Sequence, residues 1–209
     1  MRKLLIASAI VMTASAAQSA VLIGSVSGSS PYSGPAPTYD FESVAPFTGG
    51  FVGTGSVTNV RAQPFGSTGN YASVSSANGP GILDLSSFAT INKISFLWGS
   101  VDSYNFLDVL SGSTVLATFT GSQVTALANG NQTDPATNPV VTLSFTGDDR
   151  DAADALRFRS NGNAFEFDNI AVDALPIPEP ATWAMMIGGL GLVGGAIRRR
   201  GAGGRIAFA

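Results

Sequence analysis

Apolar and polar side chains alternate with a period of two in a series of short runs along the middle of the chain. Ile94, Phe96 and Trp98 share one phase of the first run, with Ser95 and Leu97 on the other. Leu107 and Val109 follow, then Val115, Ala117 and Phe119. Val141, Leu143 and Phe145 come next, then Leu156 and Phe158, then Phe165 and Phe167 in a run that reaches Val172. That period sends successive side chains to opposite faces and predicts half-buried antiparallel strands. Gly, Asn, Ser and Pro fill the spacers, and Ser111-Gly112-Ser113 between two runs predicts a hairpin. No helical stripe of useful length occurs outside the chain ends, although Asp151 to Ala155 has room for one turn. Many short strands with turn-rich spacers predict an all-β fold, an antiparallel β-sandwich of jelly-roll-like form. The sandwich is expected over 39–175, after a loose Gly/Ser/Pro-rich leader over 21–38. Tyr39-Asp40-Phe41-Glu42 reads as its opening strand and Ala164 to Val172 as its closing one, lying side by side. Thr120 to Pro139 reads as a long polar loop around a short Val124–Leu127 strand.

The two ends break this pattern. Residues 1–20 have the three parts of a secretory signal peptide. Arg2 and Lys3 supply positive charge, Leu4 to Met12 is apolar but too short to cross a bilayer, and small residues follow. Cleavage after Ala16 or Ala17 fits the small-residue requirement better than cleavage after Ala20. At the other end, Pro176-Ile177-Pro178-Glu179-Pro180 is incompatible with a helix interior. Ala181 to Ile197 then runs without a charge and is closed by Arg198-Arg199-Arg200. Such a helix would be roughly 25 Å long against a hydrocarbon core of about 30 Å. Interfacial Trp183 and snorkelling arginines can cover the shortfall, so a transmembrane helix with its arginine end in the cytoplasm is expected.

Pro178-Glu179-Pro180-Ala181-Thr182-Trp183-Ala184, the glycine-rich apolar helix and the arginine cluster together resemble the PEP-CTERM sorting signal, in its PEPxxWA subtype. That signal marks exported proteins of Gram-negative bacteria that make extracellular polysaccharide. The resemblance implies that exosortase, an integral-membrane transpeptidase-like protease, reads and processes residues 176–209. It makes Pro178, Glu179, Pro180, Trp183, Arg198, Arg199 and Arg200 the recognition element of a substrate. It implies biofilm or exopolysaccharide surroundings and leaves the chemistry of the preceding domain open. The tail from Gly201 to Ala209 is longer than usual for that signal.

Composition narrows that chemistry. The chain has 209 residues, no Cys and no His. This removes disulfides, thiolate nucleophiles, Ser-His-Asp triads and imidazole-bound metals. Carboxylates, Lys, Tyr, Ser and Thr remain, with hard-cation binding through oxygen. The formal net charge of −3 hides segregation: between 21 and 177 there are 13 acidic and 5 basic residues, giving −8. Such a surface repels nucleic acid. The ends also account for much of the mean hydropathy of +0.26.

Three clusters could carry a function. Trp98, Asp102, Tyr104 and Asn105 surround a strand–loop–strand, and sugar sites combine planar hydrogen-bonding groups with an aromatic platform. The same residues suit a turn bonded to the backbone with Trp98 in the core. Phe167-Asp168-Asn169-Ile170 resembles the closing strand of lectin-like jelly rolls, as in carbohydrate-binding modules. If it lies beside the opening strand, Asp40, Glu42 and Asp168 could converge on a structural Ca²⁺. A bulge at Asp168-Asn169 with solvated acids is the alternative. Asp148-Asp149-Arg150-Asp151-Ala152-Ala153-Asp154 lacks calcium-loop spacing and reads as a solvated loop. No catalytic motif emerges. The sequence therefore points to a non-catalytic, structural or adhesive surface protein that contacts polysaccharide and requires no cofactor. The alternative is a secreted polysaccharide hydrolase using paired carboxylates.

Overall fold

Phe165, Phe167, Trp98 and Phe158 stack face to face in two pairs at the middle of the protein. The Trp98 and Phe165 rings lie 4.1 Å apart and the Phe158 and Phe167 rings 3.7 Å apart. The computed structural model describes residues 20–177 and 180–201. The stacked rings come from three strands: β6 (Phe88–Gly99), β10 (Ala155–Ser160) and β11 (Phe165–Pro176). β6 and β11 belong to one antiparallel sheet and β10 to another, so the aromatic stack is the floor between two layers.

The remaining strands are β1 (Ala20–Val26), β2 (Phe47–Thr48), β3 (Phe51–Gly53), β4 (Tyr71–Val74), β5 (Gly81–Asp84), β7 (Asn105–Ser111), β8 (Thr114–Thr120) and β9 (Val140–Thr146). Sheet A has the order β1-β9-β6-β11-β4-β3, and sheet C the order β2-β5-β10-β7-β8. Four antiparallel pairs nest inside one another: β7 with β8, β6 with β9, β5 with β10, and β4 with β11. The chain from β4 to β11 is thus one long hairpin rolled into two layers. Rolling brings β11 against β6 and β10 against β7. At the tip, Ser111 pairs with Thr114 and Gly112 takes φ +55, so the hairpin expected there forms.

Alternation survives where one face meets the core. In β9 and β10 the apolar set Val141, Leu143, Phe145, Leu156 and Phe158 is buried. In β6 and β11 it breaks, because both faces are covered. From Ile94 to Gly99 every residue of β6 is buried, and so is every residue from Phe165 to Asp168. The second cover is the segment between β3 and β4, which lies on the outer face of sheet A with Pro64 against Gly99 and Ala62 2% exposed.

Several expectations are corrected. The leader over 21–38 is not loose at its start. Ala20 to Val26 forms the edge strand β1, paired residue for residue with β9. Its small residues mask the alternation that would reveal it. Beyond it, Gly28 and Tyr32 donate backbone hydrogen bonds to Pro135 and Gly66. The opening segment lies beside β11 as expected, but as a single bridge between Tyr39 and Ile170 rather than a strand. The Val124–Leu127 strand is replaced by a helical turn, α1 (Gly121–Val124), and a 3₁₀ turn occupies Pro135–Thr137. α2 (Asp149–Ala152) supplies the helical turn of the acidic segment.

The helix at the C-terminal side forms as α3 (Pro180–Gly201). Among the described residues, however, no helix is long and apolar enough to cross a membrane. The charge-free run is short, and Gly188, Gly189, Gly191 and Gly194 contribute almost no apolar surface. Of the signal peptide expected over 1–20, residues 1–19 lie outside the described residues, and Ala20 begins β1.

Candidate functional sites

The 98–105 segment does not present its aromatic ring. Trp98 is fully buried, stacked on Phe165 and against Phe96, and its indole N–H has no partner among the described residues. Its phase within β6, shared with Ile94 and Phe96, puts it in the core. Asn105 is also fully buried. Its amide donates to the Ala164 carbonyl at 3.2 Å and accepts from Ser160 Oγ at 2.9 Å, tying β7 to the β10–β11 turn. These two are structural, which corrects the sugar-platform expectation for them. Asp102 and Tyr104 do meet. The Tyr104 hydroxyl lies 2.8 Å from Asp102 Oδ2 and 2.9 Å from the Asn163 carbonyl. Both residues stay half-exposed at one end of the sandwich. Burial raises the Asp102 carboxyl, and the Tyr104 hydrogen bond partly offsets this.

Asp40, Glu42 and Asp168 do not gather into a metal site. Among the described residues no group of three acids is arranged to hold an ion. Asp168 is 1% exposed; its oxygens accept from Ser67 Oγ at 2.6 Å and from the Asn169 N–H at 2.7 Å. Glu42 turns away to accept from the Asn70 N–H at 2.5 Å, and Asp40 Oδ1 accepts from the Glu42 N–H. Asn169 takes φ +54 where the β11 register shifts, so the bulge forms, but Asp168 is not solvated. Burial pushes the Asp168 carboxyl up to about 7, with Asp40 and Glu42 adding to it against the Ser67 and Asn169 hydrogen bonds. The 148–154 acids are used locally: Asp151 accepts from Thr90, and Asp154 from the Gly112 N–H. Arg150 bonds Asn92.

Two sites escaped the sequence reading. Glu166, two residues before Asp168 on the same face, is also 1% exposed. It accepts from the Ala62 N–H and from Ser100 Oγ, each at 2.8 Å. Burial pushes it up to about 7 against those hydrogen bonds. Alternation with Phe165 and Phe167 marks both acids as outward-facing. Nothing local reveals that a segment a hundred residues earlier covers them.

The second site is on the outer face of sheet C. The Asp108 carboxylate is buried beneath Arg157 and Arg159, whose side chains remain about a third exposed. Oδ2 accepts from Arg157 Nε at 2.8 Å and from Arg159 Nε at 2.6 Å. Oδ1 accepts from Arg159 Nη2 at 3.0 Å and from Thr118 Oγ1 at 2.8 Å. Burial alone would raise this carboxyl, but the Arg159, Thr118 and Arg157 hydrogen bonds outweigh it and hold it below the usual carboxylate range. Arg157 and Arg159 alternate with Leu156 and Phe158, so the sequence does place both on one outer face. The register then sets Asp108 opposite Arg157.

Beside Arg159 is an open groove of about 280 Å³ between the β4–β5 turn and the end of β10. Ser76, Gly79 and Pro80 form one wall, and Arg159, Ser160 and Asn161 the other.

Of the sorting residues, Pro178 and Glu179 lie outside the described residues, as do the side chains of Pro180, Trp183, Arg199 and Arg200. Pro180 begins α3, where a proline's missing N–H is harmless, and Arg198 is exposed. No curated protein and no solved structure matches the chain. One family model does match, the PEP-CTERM protein-sorting motif, over residues 176–200. With β11 ending at Pro176, where that match begins, the chain carries the PEP-CTERM sorting motif of an exosortase-processed, exported bacterial surface protein directly behind a two-sheet antiparallel domain.

Proposed function

We propose that this is a cell-surface or extracellular-matrix protein of a Gram-negative bacterium, exported by a cleaved signal peptide. Exosortase processes it behind a non-catalytic β-sandwich, and its role in the exopolysaccharide layer is structural and adhesive. The carrying observation is the sorting motif at 176–200 continuing from the last strand. The cluster Arg198-Arg199-Arg200 would hold the unprocessed chain against an anionic membrane surface for the protease. The nested pairs and the orders β4-β11-β6-β9 and β5-β10-β7-β8 support a jelly-roll, a form shared by lectin domains.

A polysaccharide hydrolase would need two carboxyls facing each other across a cleft. The two carboxyls pushed up to about 7, Glu166 and Asp168, are each 1% exposed and bonded to protein donors. That environment supports a structural role for both.

Fractionation of cells producing the native chain or a Pro178→Ala, Glu179→Ala, Pro180→Ala variant tests the reading. The native chain should appear shortened and outside the inner membrane, and the variant should accumulate at full length. Identical processing of both, or retention of the native chain at full length, would overturn it.

A further inference from the structure

The folded domain runs into the sorting motif with no linker between them. β11 closes at Pro176, and the Ile177 N–H still donates to the Ser87 carbonyl at 3.1 Å. The motif match begins at residue 176, and α3 begins at Pro180. Only Pro178 and Glu179 separate the last residue held by the domain from the helix, at most about 7 Å of extended chain.

That spacing creates a conflict. A protease must take hold of backbone on both sides of the bond it cuts. Backbone already paired in a folded domain is not free for this, so proteolysis acts on the opened chain. Pro176 and Ile177 belong both to the motif match and to the held end of the domain. Domain and protease compete for them.

The end of β11 is weakly held. Its pairing with β6 shifts register between Asp173 and Ala174 and again between Leu175 and Pro176. Pro176 has no N–H to give to the ladder. Leu175 is 60% exposed and Ile177 52%, so releasing them uncovers little further apolar surface. At the other end of the same strand every residue from Phe165 to Asp168 is buried. Ala174 packs against the core and marks where release stops.

We infer that Leu175, Pro176 and Ile177 form a clasp, which peels from Thr90, Phe88 and Ser87 to present the sorting motif to exosortase. Opening lengthens the free chain before α3 from two residues to five, at most about 17 Å. The pairs with β6 from Glu166 to Ala174 stay in place, so the domain is processed while folded. Ser87 and Thr90 are positioning residues, acting through the clasp and not on the cleaved bond. This rests on the exosortase part of the proposed function and names the step that controls it.

A disulfide across the clasp tests it. The chain has no Cys, so Thr90→Cys with Leu175→Cys creates a single pair, at facing positions of β6 and β11, in an oxidising export compartment. Pulse–chase labelling of the full chain in exosortase-producing cells should show processing of the bridged variant slowed by at least about tenfold, with each single variant near the native rate. A six-residue Gly-Ser insert between Ile177 and Pro178 should speed the native chain by about threefold to tenfold and restore the bridged one. Hydrogen exchange of the full chain in detergent micelles gives an independent readout. The bonded Ile177 amide should exchange about a hundredfold faster than those of Phe167 and Asp168. Equal processing of native and bridged chains, with the bridge verified by mass spectrometry, would overturn the clasp. So would an insert that leaves the native rate unchanged, or an Ile177 amide as protected as the other two. A native chain that is never shortened overturns the sorting reading instead, and the exchange comparison still decides whether the strand end opens.

Discussion

The two sheets each bury carboxylates on their outer faces, and they do so in opposite ways. On sheet C, Asp108 sits under two arginines and its carboxyl is held low. On sheet A, Glu166 and Asp168 are as closed to solvent but meet only neutral donors, namely hydroxyls, backbone N–H groups and the Asn169 amide, and both are pushed up to about 7. All three are closed to solvent; the donors differ. Neutral donors can satisfy the lone pairs of a buried carboxylate without offsetting the cost of its charge, whereas a guanidinium does both. Sheet A's outer face is therefore made for protonated acids, and sheet C's for an ionised one.

The sharpest way to break this comparison is a pH series of unfolding. Raised carboxyls mean that the folded chain binds more protons than the unfolded chain between their ordinary values and about 7. Stability from Glu166 and Asp168 is thus fully present below pH 4 and is lost as pH rises through 7. Glu166 should contribute about 3 kcal/mol and Asp168 about 4 kcal/mol across that range. Denaturant midpoints at successive pH values measure it, and Glu166→Gln with Asp168→Asn should flatten the profile. A native profile flat between pH 5 and 8 would sink the assignment. Asp108 runs the other way: its contribution is present above its ordinary value of 3.8 and lost as pH falls below it.

Next in size is Asp108→Ala, which leaves two arginines facing each other without a counter-charge. Because both are about a third exposed, water relieves part of the loss, and a destabilisation of about 2–3 kcal/mol at neutral pH is expected. A loss under about 0.5 kcal/mol, within the range of ordinary surface substitutions, would show that the arginines need no carboxylate. The smallest effect comes from the hydroxyls. Ser67→Ala should cost about 1 kcal/mol and push Asp168 further up; Thr118→Ala should cost about as much and let Asp108 rise. Carbon-13 chemical-shift titration of the two carboxyls reads both directions, and movement of either the opposite way counts against the comparison.

Much of the roll was legible because its strands alternate. Phe165 and Phe167 announce one buried face, as do Leu156 and Phe158, and Gly112 marks the hairpin tip. β1 was hidden because Gly24 and Ser25 interrupt an apolar stretch that merges with the preceding signal-like segment. The sorting motif was fully legible, since it is a linear pattern read by a partner and not a product of folding. The sites were less so. Trp98 had the right phase for the core, and only its chemistry suggested a platform. Glu166 and Asp168 had the right phase for solvent, and their burial depends on Ala62 and Ser67 arriving from far along the chain. Long-range cover of this kind leaves no periodic trace. Arg159 was visible as an outward cation, but its partner became apparent only from the strand register.

β11 also has a mechanical meaning. It runs from the groove end of the domain to the sorting motif, and it is an inner strand flanked by β6 and β4. A pull on the chain beyond Pro176 would run along its axis. Its nine register pairs with β6 lie across that direction and would be loaded in shear, so many must yield together. β1 and β8, at the sheet edges, could be unzipped one bond at a time, but neither lies on that line of force. The strand that continues into the sorting motif is the one best placed to resist being drawn out.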